Sequence, residues 1–503
     1  SQFSSPGRID PRAGCKRVSA PAVGDPKKQL RRVMGFWDVL LFNIATVLGP
    51  RWIAAAAHNG TSSISLWVLA ALFFFVPSAF VITELSTRFP EEGGLYVWSK
   101  EAFGDFHGFV AGWTYWIYTL FYFPGLLMAS AAMAAYIGGS GAAHLAQDRT
   151  FLMVLSFSLL FVAVVLNIIG LNIGKWLQNA GGVCTYLPLL MLVGLGVYTW
   201  RTSGPQVHFT WSNMLPVWNF GTVNFWPQIA FAFAGFELCS AMSEEVRDPR
   251  KTFPRAIFGS GILVALIYIS GTIAVLAMLP PEVVDPKSGV LQALTSTSTL
   301  LRIGLFGVIA AILVSIGNAG GVGSTVAGVA RVPFVVGIDR YLPAAFGKIH
   351  PKWKTPWVSI LVQALISGAI LLLIQVNETA NSAYQILVDA ATILYFIPFV
   401  YMYCAVIKLA NRKDRGASKD QMLIPGGKAG VWIAGSLGLL VVVAGIVLSL
   451  IPPAESTNKW MFETKLVAGT VLSVVLGLVL YLRGARQKAR ELSSSGAGSS
   501  GPR

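Results

Sequence analysis

The sequence predicts an all-α polytopic membrane protein of twelve transmembrane helices, the first and sixth discontinuous, on three observations. Of 503 residues, 54% are hydrophobic and only 12% charged, more apolar surface than a soluble chain of this length can hide. A window of about 20 residues, enough to cross the hydrocarbon core of a bilayer, finds apolar runs near 36–58, 64–87, 104–138, 150–169, 179–200, 224–243, 255–279, 303–330, 357–375, 382–407, 430–451 and 464–482. Sorting the 38 Lys and Arg onto alternating sides, with both termini inside, puts 31 in inner segments, six in outer ones and Arg51 alone within a span. That asymmetry follows the positive-inside rule. It also accounts for the net charge of +15 without nucleic acid, because the cations are spread over every inner loop and both tails.

Residues 1–35 form a basic cytoplasmic tail without an apolar core, so no cleavable signal peptide is expected there and the first span would start insertion itself. That span, FWDVLLFNIATVLGPRWIAAAA, contains Gly49-Pro50-Arg51. Proline removes a backbone donor, and its ring clashes with the carbonyl four residues back, at Thr46. A break should follow. Irregular backbone at membrane depth survives only where protein buries it or it lines a watery cavity, and the deep Arg51 favours such a lined site over a plain kink. The second span ends in Glu84 and Arg88, one turn apart, which read as interfacial support. The third and eighth spans are unusually long.

The sixth span runs into QIAFAFAGFELCSAMSEEVRDPRKTFPRAI, Gln228 to Ile257, where a glycine and a carboxylate at membrane depth meet a basic loop. Insertion scales charge roughly 2.5–3.5 kcal/mol for Asp at a helix centre, so Glu237 is a functional candidate by default. Gly235 by itself costs a helix only about 1 kcal/mol. What marks it is position: Gly49 in span one and Gly235 in span six occupy corresponding places in two successive five-span blocks, 36–200 and 224–409. An odd number of spans per block forces opposite orientations, the pattern of solute transporters built from inverted repeats with the site at their interface. The outer segment 280–302 is long enough to fold over the outer mouth, with a short helix starting near Ser288 or Gly289. Spans eleven and twelve, 430–483, would be peripheral, and 484–503 reads as a disordered cytoplasmic tail.

Three stretches resemble the amino acid-polyamine-organocation superfamily of permeases. ITELSTRFPEEGGLYVWSKEAFGDFHGFVAGW, Ile82 to Trp113, is similar to the family's loop between spans two and three. FAFAGFE followed by SEEVRDPRKTFPRAI resembles its broken sixth helix and inner loop, and ARVPFVVGIDRYLPAAFGKIHPKWKTP, Ala330 to Pro356, the loop after span eight. LPPEVVDPKSGVLQAL, LPAAFGKIH and LIPGGKAG are most similar to the bacterial glutamate:GABA antiporter branch. The resemblance implies a LeuT-like, five-plus-five inverted-repeat fold and alternating access, with amino acid exchange or proton-coupled uptake. Two places depart from the family. Where members carry Gly-Ser/Ala-Gly in span one, this chain has Leu48-Gly49-Pro50-Arg51-Trp52, and Thr185-Tyr186-Leu187-Pro188 stands where some members carry a lysine in span five in place of a sodium ion.

An amino acid needs partners for a carboxylate and an ammonium, which the positive N-terminal ends and free carbonyls of two broken helices would supply. Thr46, Val47, Leu48, Gly49, Arg51 and Trp52 on the first, and Phe233, Ala234, Gly235 and Phe236 on the sixth, are therefore expected at the site, along with Phe231 as a pocket wall. Tyr115 falls where members of the resembled family place a site tyrosine, and Asn318 is a further candidate in span eight. Packing explains the aromatic residues equally well. Glu237 suits a proton-sensitive coupling switch or, alternatively, a carboxylate capping freed amides. Arg51 and Asp389 each lie about seven residues from the outer ends of their spans, roughly 10 Å deep. By analogy with related inverted-repeat symporters, they would form an outer gate; the rivals are Arg51 binding the substrate carboxylate and a static ion pair.

The expected partners are an amino acid, protons and the lipid bilayer of the plasma (inner) membrane, with no metal or other cofactor. A proton-coupled polyamine or cationic amino acid permease is the alternative, but Arg51 argues against a cation site. A non-transporting receptor would bring larger signalling domains than either tail. An enzyme is disfavoured because His58, His107, His144, His208 and His350 all fall in loops or near span ends, with no nucleophile–base pairing.

Overall fold

The computed structural model describes residues 33–91, 93–216, 220–330, 332–333, 342–374, 380–413, 415–416, 421–452 and 459–497. Its helices are α1 (Phe36–Val47), α2 (Pro50–His58), α3 (Ser63–Ala70), α4 (Val76–Arg88), α5 (Leu95–Phe103), α6 (Asp105–Ala134), α7 (Arg149–Ile169), α8 (Leu171–Ser203) and α9 (Trp211–Met214). They continue with α10 (Phe220–Phe231), α11 (Pro249–Met278), α12 (Gly289–Leu300), α13 (Gly304–Val329), α14 (Trp357–Ile374), α15 (Ala380–Leu409), α16 (Gly427–Ser449) and α17 (Lys459–Ala497). Among the described residues, ten helical stretches are long and apolar enough to cross a membrane. They coincide with the predicted spans one to five, seven, eight and ten to twelve. The ninth is represented by the shorter apolar helix Trp357–Leu372, and the sixth is split.

Both predicted breaks are present. In the first span α1 stops at Val47; Leu48 and Gly49 are extended, and Pro50 opens α2. Proline is favoured in that first helical turn, where its missing N–H would have had no intrahelical acceptor. It therefore starts the second half-helix instead of kinking the middle of a continuous one. In the sixth span α10 stops at Phe231, and a 3-10 stretch, Phe236–Glu245, resumes after Gly235. Gly235 has φ +117°, a left-handed conformation that glycine enters without steric cost.

The glycine-rich stretch of α13 lets helices close around the first span. A Cβ added at Gly321 would sit 2.6 Å from the Ala45 carbonyl oxygen, and one at Gly182 of α8 equally close to that of Leu41. Small residues are what allow such backbone approach between membrane helices. In the segment predicted to lie outside, α12 begins at Gly289, as expected, with Ser288 before it. Asp285 Oδ1 accepts from the backbone N–H groups of Lys287 and Ser288 at 2.9 and 2.8 Å, and His58 Nδ1 lies 2.9 Å from the Val284 oxygen. The outer segment is thus tied to the end of α2.

At the inner face Glu84 does more than the sequence suggested. Arg415 forks onto it, Nε–Oε1 2.6 Å and Nη2–Oε2 3.1 Å, and the Ile424 amide donates to Oε2 at 2.8 Å. This clamps the segment between α15 and α16 to α4. Arg88 donates to the Leu409 carbonyl at 3.0 Å.

One expectation is corrected. The stretch 484–497, read as disordered, is wound as the end of α17. GARQKARELSSS is rich in Ala, Arg, Gln, Lys, Glu and Leu, which propagate a helix already nucleated by the span. Residues 498–503 and 1–32 of the two predicted tails lie outside the described residues, as does much of the stretch 331–341 used in the third family match.

Candidate functional site

The two breaks touch. A Cβ on Gly235 would lie 3.1 Å from Thr46 Cγ2 and 3.2 Å from Val47 Cγ2. One tyrosine hydroxyl from α11 joins them: Tyr268 Oη lies 2.7 Å from the Val47 carbonyl oxygen and 3.1 Å from that of Ala232, and it accepts from the Gly49 amide at 3.3 Å. Three main-chain groups freed by unwinding meet a single buried side chain, as the satisfaction of backbone polar groups in hydrocarbon requires. Nothing in the sequence set Tyr268 apart from other intramembrane aromatics, and it was missed.

A cavity of about 20 Å³ opens on the first break. Its lining includes Thr46, Val47, Leu48, Gly49, Pro50 and Arg51 from the break, Tyr122, Ser130 and Met133 from α6, and Gly317, Asn318 and Gly321 from α13. Among the described residues, no acidic one lines it. Such a volume holds about one water, so a bound amino acid would need a wider form of it. Two of its polar groups have little to hold them. Thr46 Oγ1 is buried with no hydrogen-bond partner among the described residues, and Asn318 Nδ2 donates to the Met133 thioether at 3.4 Å, a weak acceptor. Arg51 is 4% exposed. Its guanidinium carbon lies 4.5 Å from the Trp52 ring centroid and 4.8 Å from that of Tyr122. Desolvated cation–π contacts of this kind contribute about 2 kcal/mol and fix the guanidinium at the cavity edge.

The sixth-span residues are placed differently from what was expected. Phe231 packs edge-on against Trp52, Tyr122 and Tyr395, at 5.8, 5.8 and 5.2 Å between centroids, so it stands behind the cavity wall without lining it. Phe233 stacks near Phe75 and meets Trp67 edge-on, and Phe236 contacts Phe75. Both face the second span as core. Ala234 and Gly235 form the unwound turn, which lies against Thr46 and Val47 but outside the cavity lining.

Glu237 also points away from the cavity. Tyr115 Oη donates to its Oε1 at 2.6 Å, the Gly235 amide donates to Oε2 at 3.2 Å, and Tyr395 and the residue's own amide complete the set. The Gly235 amide is shared with Tyr395 Oη at 3.0 Å. These contacts have the form of the cap on freed amides, and they bond the Tyr115 hydroxyl to a carboxylate. Asp389 is buried on α15, with the side chains of Gln385 and of Gln228 on α10 acting on it. An Arg51–Asp389 ion pair is not among the described contacts.

Two unwound half-helices meeting beside a closed cavity, inside a bundle of membrane-length helices, define a secondary transporter. The structure is similar to that of MhsT in complex with L-phenylalanine, with a TM-score of 0.64 and 13% identity over 82% of this chain and 98% of that one. The fold is therefore the LeuT-like inverted-repeat fold. The amino acid permease family profile matches residues 34–473, and the chain belongs to that family. Its function is secondary transport of amino acids across a membrane. Relatives include an uncharacterized transporter of Legionella pneumophila, 26% identical over 89% of this chain and 96% of that one. Further relatives are the probable agmatine/putrescine antiporter AguD of Lactococcus lactis, 23% identical over 91% and 97%, and the serine/threonine exchanger SteT of Bacillus subtilis, 27% identical over 76% and 84%.

Proposed function

We propose that this permease is an exchanger of zwitterionic or anionic amino acids, in the plasma membrane with both termini cytoplasmic, and that it grips the substrate carboxylate at Arg51 and the first helix break. The observation that carries this reading is the lining of the cavity: a buried arginine, an unpartnered threonine hydroxyl and a weakly held asparagine amide, with no acid. A polyamine site needs carboxylates to offset its charge, and here the buried carboxylates Glu237 and Asp389 are engaged outside the lining. The names of the relatives in Lactococcus and Bacillus, an antiporter and an exchanger, support exchange over uniport, and the resemblance to the glutamate:GABA branch agrees with an anionic or zwitterionic cargo. The concentration of Lys and Arg on one side supports the orientation.

Counterflow into proteoliposomes tests this. Vesicles preloaded with unlabelled substrate should accumulate labelled amino acid far above empty ones; equal accumulation, with no proton gradient, would sink the exchange reading. Arg51→Ala separates two roles: loss of binding is expected if Arg51 holds the carboxylate, whereas leakier exchange at similar affinity would make it a gate.

A further inference from the structure

We propose that the groove at the start of α11 binds an anionic phospholipid, its phosphate on Lys251 and Arg255 and one acyl chain along the exposed face of that helix. The inference concerns the surface that meets the bilayer and holds whatever the cargo is. A groove of about 450 Å³ is lined by Lys251, Pro254, Arg255, Phe258 and Met422, within the roughly 300–1,000 Å³ usual for small-molecule sites. Two elements build it. Phe258 of α11 packs edge-on against Phe80 of α4, 5.0 Å between centroids. Met422 comes from the segment between α15 and α16, where its amide donates to Thr87 Oγ1 at 3.2 Å, close to the Ile424 amide that Glu84 holds. The clamp on α4 therefore fixes the far wall of the groove.

Charge and spacing name the occupant. Lys251, Arg255, Phe258, Ile262 and Leu266 recur every three or four residues and so share one face of α11. Ile262 and Leu266 are both more than half exposed, so the groove continues along the helix as an apolar stripe. From Arg255 to Leu266 the helix rises about 16 Å, roughly half of the hydrocarbon core and the depth that one acyl chain spans. The two cations stand at the head of that stripe. Lys251 Nζ lies 3.3 Å from Asp248 Oδ2 with both side chains more than half exposed, a kind of pair that contributes little, and Arg255 has no ion-pair partner among the described residues. A free anion would gain nothing from the stripe. The N-terminal tail is an unfit occupant, because residues 1–32 carry eight Lys and Arg against two Asp. A phospholipid with a negative headgroup satisfies both halves, as at other basic sites beside membrane helices, with the long cationic stems lying along apolar surface.

The test uses the full-length protein purified in detergent, titrated with dioleoylphosphatidylglycerol or dioleoylphosphatidylcholine and read by native mass spectrometry. Phosphatidylglycerol should be retained about tenfold more tightly than phosphatidylcholine. Lys251→Gln combined with Arg255→Gln should bring the two lipids level. Met422→Asp, which keeps both cations and sets a carboxylate in the far wall, should weaken phosphatidylglycerol alone. Lys348→Gln combined with Lys352→Gln, at two exposed lysines before α14, should leave the preference intact. Equal binding of the two lipids by the wild type overturns the proposal, and so does a preference that survives either groove variant. Loss of the preference in the Lys348 and Lys352 variant would make it a property of surface charge at large, and displacement of phosphatidylglycerol by inorganic phosphate in excess would make the groove a site for free anions; each overturns the proposal too.

Discussion

The two helix breaks start from the same chemistry and are used in opposite ways. In the first span the unwound residues face a cavity in which Thr46 Oγ1 has no partner among the described residues and Asn318 donates to a thioether. In the sixth span tight turns close the gap: Phe233 donates to the Ala230 carbonyl at 3.1 Å and Ala234 to that of Phe231 at 2.8 Å. Glu237, Tyr395 and Tyr268 then cap what remains. Sequence symmetry between repeats therefore does not make the repeats symmetric in function. On the proposed reading, the first break takes the cargo and the sixth stands beside it.

Substitutions that strike one side can break this contrast. The largest effect is expected from Gly235→Val, which forces a β-branched residue to φ +117° against Thr46 and Val47, a region that costs non-glycine residues roughly 1–2 kcal/mol before any clash. Folded transporter should be lost, as read by a monodisperse peak in detergent, whereas Gly49→Ala at φ −117° should leave that peak in place. Next, Arg51→Ala should weaken substrate binding by about 10- to 100-fold, the worth of a charge-assisted hydrogen bond of roughly 1.5–3 kcal/mol. Scintillation proximity binding would measure it. Glu237→Gln keeps the shape of the cap but loses its charge, and should cost thermal stability more than affinity.

Tyr268→Phe tests the link itself. Removing the hydroxyl frees three main-chain groups in two breaks, and about tenfold slower exchange is expected for roughly 1–1.5 kcal/mol lost. An unchanged rate would show that the breaks move independently. The smallest effect is expected from Asn318→Ala, a few-fold rise in half-saturating substrate, because its one described partner is a thioether.

The spans and both breaks could be read from sequence because hydropathy, Pro50 and Gly235 act locally. Half of the site could be read the same way: Thr46 through Gly49, Arg51 and Asn318 all reach the cavity. The sixth-span side could not, because Phe231, Phe233 and Phe236 have identical chemistry, and only the path of the unwound turn and the 3-10 stretch after it decides that two of them face the second span. Tyr268 gave no local signal at all. Its role comes from a partner 221 residues away along the chain.

The cavity at the first break, scarcely wider than one water, changes where inhibitors should be sought. Small molecules screened against this shape have nowhere to lodge, so useful compounds would be wedges that hold Arg51 and Tyr122 away from Asn318 and arrest the cycle in a widened form. Their potency would track how long that form lives, and a binding assay run on protein locked shut by cross-linking would miss them entirely.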